Sequence, residues 1–229
     1  LTLCAMINDV DKIISVSKLK THGMMVFTGA VKNLFGLVPG VLKVEYHFKM
    51  SEMKTFSNLM IDICQATKPV LSIMDGIIGM EGAGPSGGDP RQIGVILASP
   101  SPYHLDRVAS ALIRLKPQHN PTVSESINRG LCPAALEDID IAGASLNDFN
   151  TEKFKIPLSY GLHMAGRAPK FFQRMLDRLA IPKPMFIEKR CIGCRICLEA
   201  CPPKTIRIES QKARVDLNNC IRCFCCQEL

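Results

Sequence analysis

The chain has 229 residues, 47% of them hydrophobic, with eleven cysteines, no tryptophan and a formal net charge of +7. That length accommodates one large domain or a medium one plus a small one, with apolar residues enough for an ordinary core. The charge is spread out rather than gathered into a basic stripe with interleaved aromatics, which argues against nucleic-acid binding, and no run of about 18 apolar residues is present to span a membrane.

No secretory signal pattern precedes the first predicted strand, so the expected location is cytoplasmic. Leu1 is not an initiator residue, and the chain is expected to be a fragment at its start. Val10 to Leu19 places Val10, Ile13, Ile14, Val16 and Leu19 in a β-rich apolar run and predicts a strand. Gly23 to Phe35 reads as helical and Gly36 to Gly40 as turn-rich. Ser51 is the expected N-cap of a helix reaching Thr67, with Phe56, Leu59, Met60 and Ile63 on one face. Pro69 opens a buried strand through Asp75. A glycine-rich loop, Gly79 to Asp89, leads to a second short strand, Ile93 to Ala98, and Pro102 to Lys116 reads as the helix after it. Short edge strands are expected at Ile139 to Ile141 and Phe154 to Ile156. This succession of apolar strands and helices predicts an α/β domain with a mostly covered sheet over residues 1–166.

Arg167 to Ala180 has Phe171, Met175 and Leu179 on one stripe and its basic residues elsewhere, predicting an amphipathic helix. Such a helix suits either a membrane surface or, the blander reading, packing between domains. The Pro-rich Ile181 to Pro184 then breaks it, so residues 167–185 form a linker to a third segment, 186–229.

That last segment holds eight of the eleven cysteines. Cys191, Cys194, Cys197 and Cys201-Pro202 have the C-x2-C-x2-C-x3-C-P spacing in which a tight loop delivers three thiolates to a 4Fe–4S cluster and the fourth crosses to a second cluster. Cys220, Cys223 and Cys226 repeat the triple. With Cys201 they complete one cluster, while Cys191, Cys194 and Cys197 lack a fourth ligand, due one position past Leu229. On that reading two 4Fe–4S clusters belong to the full-length protein, and this chain is cut before its last ligand.

Zinc favours paired C-x2-C knuckles, and disulfide scaffolds are usually small and secreted, so both fit the spacing less well. Cys225, between two ligands, is read as a spare. Thr205 to Ile208 and Ala213 to Leu217 alternate and predict a hairpin, completing a small α+β ferredoxin-like layout in which clusters replace much of a hydrophobic core. Lys189, Arg190, Arg195, Lys204 and Arg222 beside the cysteines should stabilise the reduced, more negative clusters. Potentials above those of acidic clostridial-type ferredoxins are therefore expected.

A second candidate site lies in the α/β part. Lys18, Lys20 and His22 alternate, so an extended strand would aim all three at one face, with Lys32 and Asn33 following in the next element. Such a group suits a carboxylate or phosphate, and equally suits a solvated strand end. Asp75 and Glu81 flank the glycine-rich stretch and could bind a cation or move protons, although such stretches are often only turns. No nucleotide-binding glycine fingerprint and no nucleophile elbow is present.

The strings KLKTHGMMVFTGAVKNLFGLVPG and MDGIIGMEGAGPSGGDPRQIGVILAS resemble hallmark segments of domain-of-unknown-function family 362, several members of which carry a C-terminal two-cluster ferredoxin domain. The resemblance covers almost the whole chain. It implies an α/β domain without an established reaction, and an N-terminal portion with further strands ahead of the KTH segment. It carries Lys18, Lys20, His22, Lys32, Asn33, Asp75, Glu81 and Asp89 forward as site candidates. Three functions follow as expectations. The first is electron transfer with a redox partner protein, in the setting of anaerobic metabolism. The second is an oxidoreductase or other enzyme acting on a small anionic substrate, with Lys20, His22, Lys32, Asp75 and Glu81 as catalytic candidates. The third is a non-catalytic redox-sensing partner.

Overall fold

A computed structural model describes residues 1–50, 52–149, 152–157, 183–220 and 225–227. In chain order its regular elements are β1 (Ile14–His22), β2 (Val26–Thr28), α1 (Ala30–Asn33), α2 (Gly40–Lys49), α3 (Met53–Thr67), β3 (Leu71–Glu81), β4 (Asp89–Ser99), α4 (Pro102–Leu112), α5 (Pro121–Asn128), α6 (Ile196–Glu199), β5 (Ile206–Glu209) and β6 (Lys212–Val215). They fall into two units, Leu1–Pro39 with Glu52–Pro157, and Gly40–Ser51 with Leu158–Leu229. α2 falls within the second of these units. The amphipathic helix expected at residues 167–180 lies outside the described residues.

The first unit is built on a mixed four-stranded sheet of order β2-β1-β3-β4. β1 and β3 run parallel, with Val16 opposite Ile73 and Lys18 opposite Asp75, whereas β2 and β4 are antiparallel to their neighbours. α1 and α4 pack on the sheet, and α3 and α5 pack beside them. The α3 stripe behaves as its periodicity requires: Phe56, Leu59, Met60 and Ile63 are all buried, joined by Leu19, Phe27 and Met74 from the strands and Met25 from the turn after β1.

β1 alternates in an unusual sense. Ser15, Ser17, Leu19 and Thr21 are buried under the helices, while Ile14 and Val16 face outward. The small serines let α1 sit close, and they are satisfied there: Asn33 Nδ2 donates to Ser15 Oγ at 3.1 Å, and Ser17 Oγ donates to the Ile73 carbonyl at 3.3 Å. Ile14 lies beside Leu71, Val16 beside Ile73 and Ala98, and the Lys18–Asp75 row ends at Ile96. The α/β class stands, and among the described residues the helices cover one face of the sheet, while Val16 and Ile96 are each 63% exposed on the other.

Two further expectations change. Gly23 to Phe35 is a turn, the short strand β2 and the single-turn α1. The cause is His22, whose buried ring Nδ1 accepts the Met24 and Met25 N–H groups at 3.1 and 3.2 Å and folds the chain back on β1. α1 then begins under a distant residue: Asp106 of α4 accepts the Ala30 and Val31 N–H groups at 2.6 and 3.1 Å. Gly29 is required at this junction, since a Cβ there would lie 2.1 Å from Asp106 Oδ1. The segments 139–141 and 154–156 are irregular, although Ile139 and Phe154 are buried. α3 starts after Glu52, without a side-chain cap, and Ser51, the expected cap, lies outside the described residues. α4 and α5 instead show side-chain caps with proline at the first turn, Ser101 accepting from His104 N and Asn120 from Val123 N.

In the second unit β5 and β6 form the expected antiparallel hairpin, with Ile206 opposite Val215 and Glu209 opposite Lys212. A small core of Cys201, Ile206 and Ala213 sits against it, and Phe186, Leu198, Ile208, Val215, Cys191, Cys197 and Cys226 pack around that core. Among the described residues no helix is long and apolar enough to cross a membrane.

Candidate iron–sulfur centre

The first cysteine run begins after a turn in which the Cys191 N–H donates to the Ile187 carbonyl at 3.0 Å. Gly193 has φ +71° and packs on the hairpin tip, where a Cβ would stand 2.8 Å from the Gln211 carbonyl oxygen. Arg195, at φ +69°, turns the chain into α6, which carries Cys197. Two left-handed residues, Gly193 and Arg195, thus curl the loop between Cys191 and Cys197.

The surroundings suit thiolates. The Ala213 N–H donates to Cys191 Sγ at 3.3 Å, and Lys212 Nζ donates to the Cys191 carbonyl at 2.7 Å. The Ala213 and Gly193 N–H groups, with the Lys212 charge, hold the Cys191 thiol below its usual range. Burial pushes the Cys197 thiol up, and the nearby Cys194 and Cys191 add to the rise. Cys201 is buried, and its Sγ accepts the Thr205 N–H at 3.3 Å with the Thr205 hydroxyl 3.4 Å away.

Cys201 of the first run and Cys226 of the second gather at one small core, the arrangement the crossing ligand requires. Cys225 is buried within the short Cys225–Gln227 turn. Cys223 lies outside the described residues, and among the described residues no three His, Cys, Asp or Glu side chains converge as a ready ligand group. The donor set nonetheless fits an iron–sulfur centre: N–H groups aimed at sulfur and thiols of both runs around one core.

The second candidate group is dispersed. Lys18 Nζ meets Asp75 Oδ2 at 2.7 Å on the open face of the sheet, and that bond, with the Ile77 N–H, holds the Asp75 carboxyl below its usual value. Lys20 Nζ donates to the Pro85 carbonyl at 3.3 Å, across the glycine-rich turn. His22 is buried and occupied at Nδ1 by its own turn. Lys32 and Asn33 sit on α1, on the helix-covered side, with Lys32 Nζ 5.9 Å from the Phe35 ring centroid and Asn33 bonded to Ser15 and to the Val16 carbonyl.

Glu81 is 8% exposed at its side chain and accepts from Arg91 Nη1 at 2.8 Å and from the Lys155 N–H at 3.1 Å. Burial pushes its carboxyl up, but those hydrogen bonds and the two nearby positive charges outweigh burial and set it below the usual range. Asp89 is exposed opposite Glu81 in the β3–β4 ladder. Glu81 therefore fastens the segment around Phe154 to the β3–β4 hairpin, and Arg91 lies 5.1 Å over the Phe154 ring. Sequence reasoning missed Arg91, Asp106, Thr205 and Lys212. Only Gly193, within its Cys-x-Gly-Cys string, carried a local signal.

Residues 1–111 match the model for Domain of unknown function (DUF362), and residues 183–229 match that for a 4Fe-4S dicluster domain. The chain thus carries one segment similar to each of these domains, the second of which supports iron–sulfur binding, with residues 112–182 outside both matches. It is 40% identical over 130 residues to the Thylakoid-associated protein sll1697 of Synechocystis sp., a match that takes in 56% of this chain. The match spans only 40% of that relative's length. No solved structure matches the chain.

Proposed function

We propose that the chain is an electron-transfer protein whose C-terminal unit passes single electrons between a redox partner and chemistry in, or docked to, the α/β domain. Two 4Fe–4S clusters, bound through Cys191, Cys194 and Cys197 and through Cys201, Cys220, Cys223 and Cys226, would supply one-electron chemistry. The chain's own residues hold and tune that centre: Ala213 and Thr205 donate to ligand sulfurs, and Lys212 brings a positive charge to the first loop. The observation that carries this reading is the pair of backbone N–H groups aimed at Cys191 and Cys201 within a segment that matches a dicluster domain.

Anaerobic reconstitution of the full-length protein is expected to yield about eight iron atoms and a dithionite-bleachable visible band. A colourless protein that takes up zinc instead would refute the proposal.

The working location is cytoplasmic, in anaerobic metabolism. The thylakoid association in the relative's name favours attachment at a membrane surface, which fractionation with a carbonate wash would reveal as release into the supernatant.

A further inference from the structure

The first cysteine loop combines three features. Ile187, Ile192 and Ile196 project into solvent at 59%, 80% and 52% exposure, which is unusual for three isoleucines within ten residues. Lys189, Arg190 and Arg195 stand exposed among them. The acidic residue of the stretch, Glu188, is taken up by an ion pair with Arg214, so among the described residues the loop presents its positive charge largely uncancelled. Cys194, a ligand candidate, is itself exposed at the centre of this patch.

We infer that the Ile187–Ile196 loop is the docking port for an acidic one-electron carrier protein, which meets the isoleucines with an apolar centre and the three cations with a carboxylate rim. This rests on the electron-transfer reading above and adds to it the place of entry and the charge of the partner. An apolar centre with a charged rim is the ordinary anatomy of a transient interface, and the charge complementarity speeds encounter more than it tightens binding. Entry here also shortens the path, because the loop that would touch the carrier is the loop that bears three ligands. In each transfer the reduced carrier loses one electron and this chain gains one, and no proton or group moves.

The test uses the full-length, anaerobically reconstituted protein, with reduced flavodoxin as the acidic carrier and reduced methyl viologen as a small donor that needs no docking. Stopped-flow bleaching of the visible band gives both rates. The flavodoxin rate is expected to fall about tenfold as salt rises from low to above physiological ionic strength, as steering is screened. Ile192→Glu, Arg190→Glu and Arg195→Asn should each lower the flavodoxin rate several-fold relative to the viologen rate, which carries any change in cluster potential, and Arg207→Glu, on β5, should leave that ratio unchanged. Asparagine is chosen at position 195 because it tolerates the left-handed backbone there.

A flavodoxin rate that is flat or rises with salt, or equal flavodoxin rates in the three loop variants and the unsubstituted protein, overturns the port. If a variant slows with both donors its cluster is damaged, and the salt profile of the unsubstituted protein decides. Failure of the unsubstituted protein to accept electrons from either donor overturns the electron-transfer reading as well.

Discussion

The Ala213 N–H points at Cys191 Sγ from 3.3 Å, so β6 is fastened directly to the first residue of the cysteine loop. Its neighbour Lys212 adds a second tie to the same residue, through the Cys191 carbonyl. The hairpin thereby acts as a donor platform for the Cys191 sulfur, which carries negative charge in the function proposed above.

Removing the cation should make the first cluster harder to reduce. Lys212→Met loses one hydrogen bond and one positive charge beside a ligand, a change on the order of 0.5–1.5 kcal/mol. For a one-electron couple this lowers the potential by roughly 20–65 mV. A redox titration followed by paramagnetic resonance should show one of two signals shifted; an unmoved potential would remove Lys212 from the account.

Gly193→Ala should empty one cluster and spare the other. The left-handed φ of +71° and the 2.8 Å approach to the Gln211 carbonyl leave no room for a methyl group. Iron content should drop from about eight atoms per chain to about four. Full occupancy in this variant would mean that the loop adopts another shape.

Glu81→Gln tests whether that carboxylate fastens or catalyses. Breaking a largely buried pair costs about 3–5 kcal/mol, and the partial exposure of Arg91 brings the expectation to about 2–3 kcal/mol. Because the folded-state pKa is depressed, the Glu81 contribution is present above its unfolded value near 4.3 and is lost as pH falls through the lower folded value. Urea unfolding should therefore show variant and parent converging in acid. A wild-type midpoint in the variant at neutral pH would return Glu81 to the list of free bases.

Asp106 has the opposite sign. Burial pushes its carboxyl up to about 7, against the pull of the Val31 and Ala30 N–H groups. An acid raised on folding gives full stability below its unfolded value near 3.9 and loses it as pH rises through the folded value. Asp106→Asn keeps one acceptor oxygen for the start of α1 and removes that loss. Its stability should fall less than the parent's between pH 5 and 7, after an offset of about 1 kcal/mol for the weakened cap. Parallel profiles would show that Asp106 does not titrate in this range.

The contrast between what was legible in the sequence and what was not follows the distance over which each feature is determined. The β5–β6 hairpin and the α3 stripe are local patterns, and each predicts its element closely; the cysteine spacing, equally local, marks the segment that matches a dicluster domain. The stretch from Gly23 to Phe35 looked helical because its apolar residues suit a helix. Its actual path is decided by the His22 ring and by Asp106, 76 residues beyond Ala30. The proposed anion group failed to gather for a similar reason: alternation along β1 does place Lys18 and Lys20 together, but α1 crosses the other face and takes Lys32 and Asn33 with it. Glu81 and Asp75 were visible as carboxylates, while Arg91 and Lys18, which neutralise them, had no pattern to mark them as partners.

Among the described residues, serines under the helices and isoleucine and valine on the opposite side leave β1, β3 and β4 with a broad greasy face. A purified preparation should therefore light up hydrophobic dyes and cling to phenyl resin while its circular dichroism remains native. Handling it without mild detergent or glycerol invites clumping that has nothing to do with unfolding.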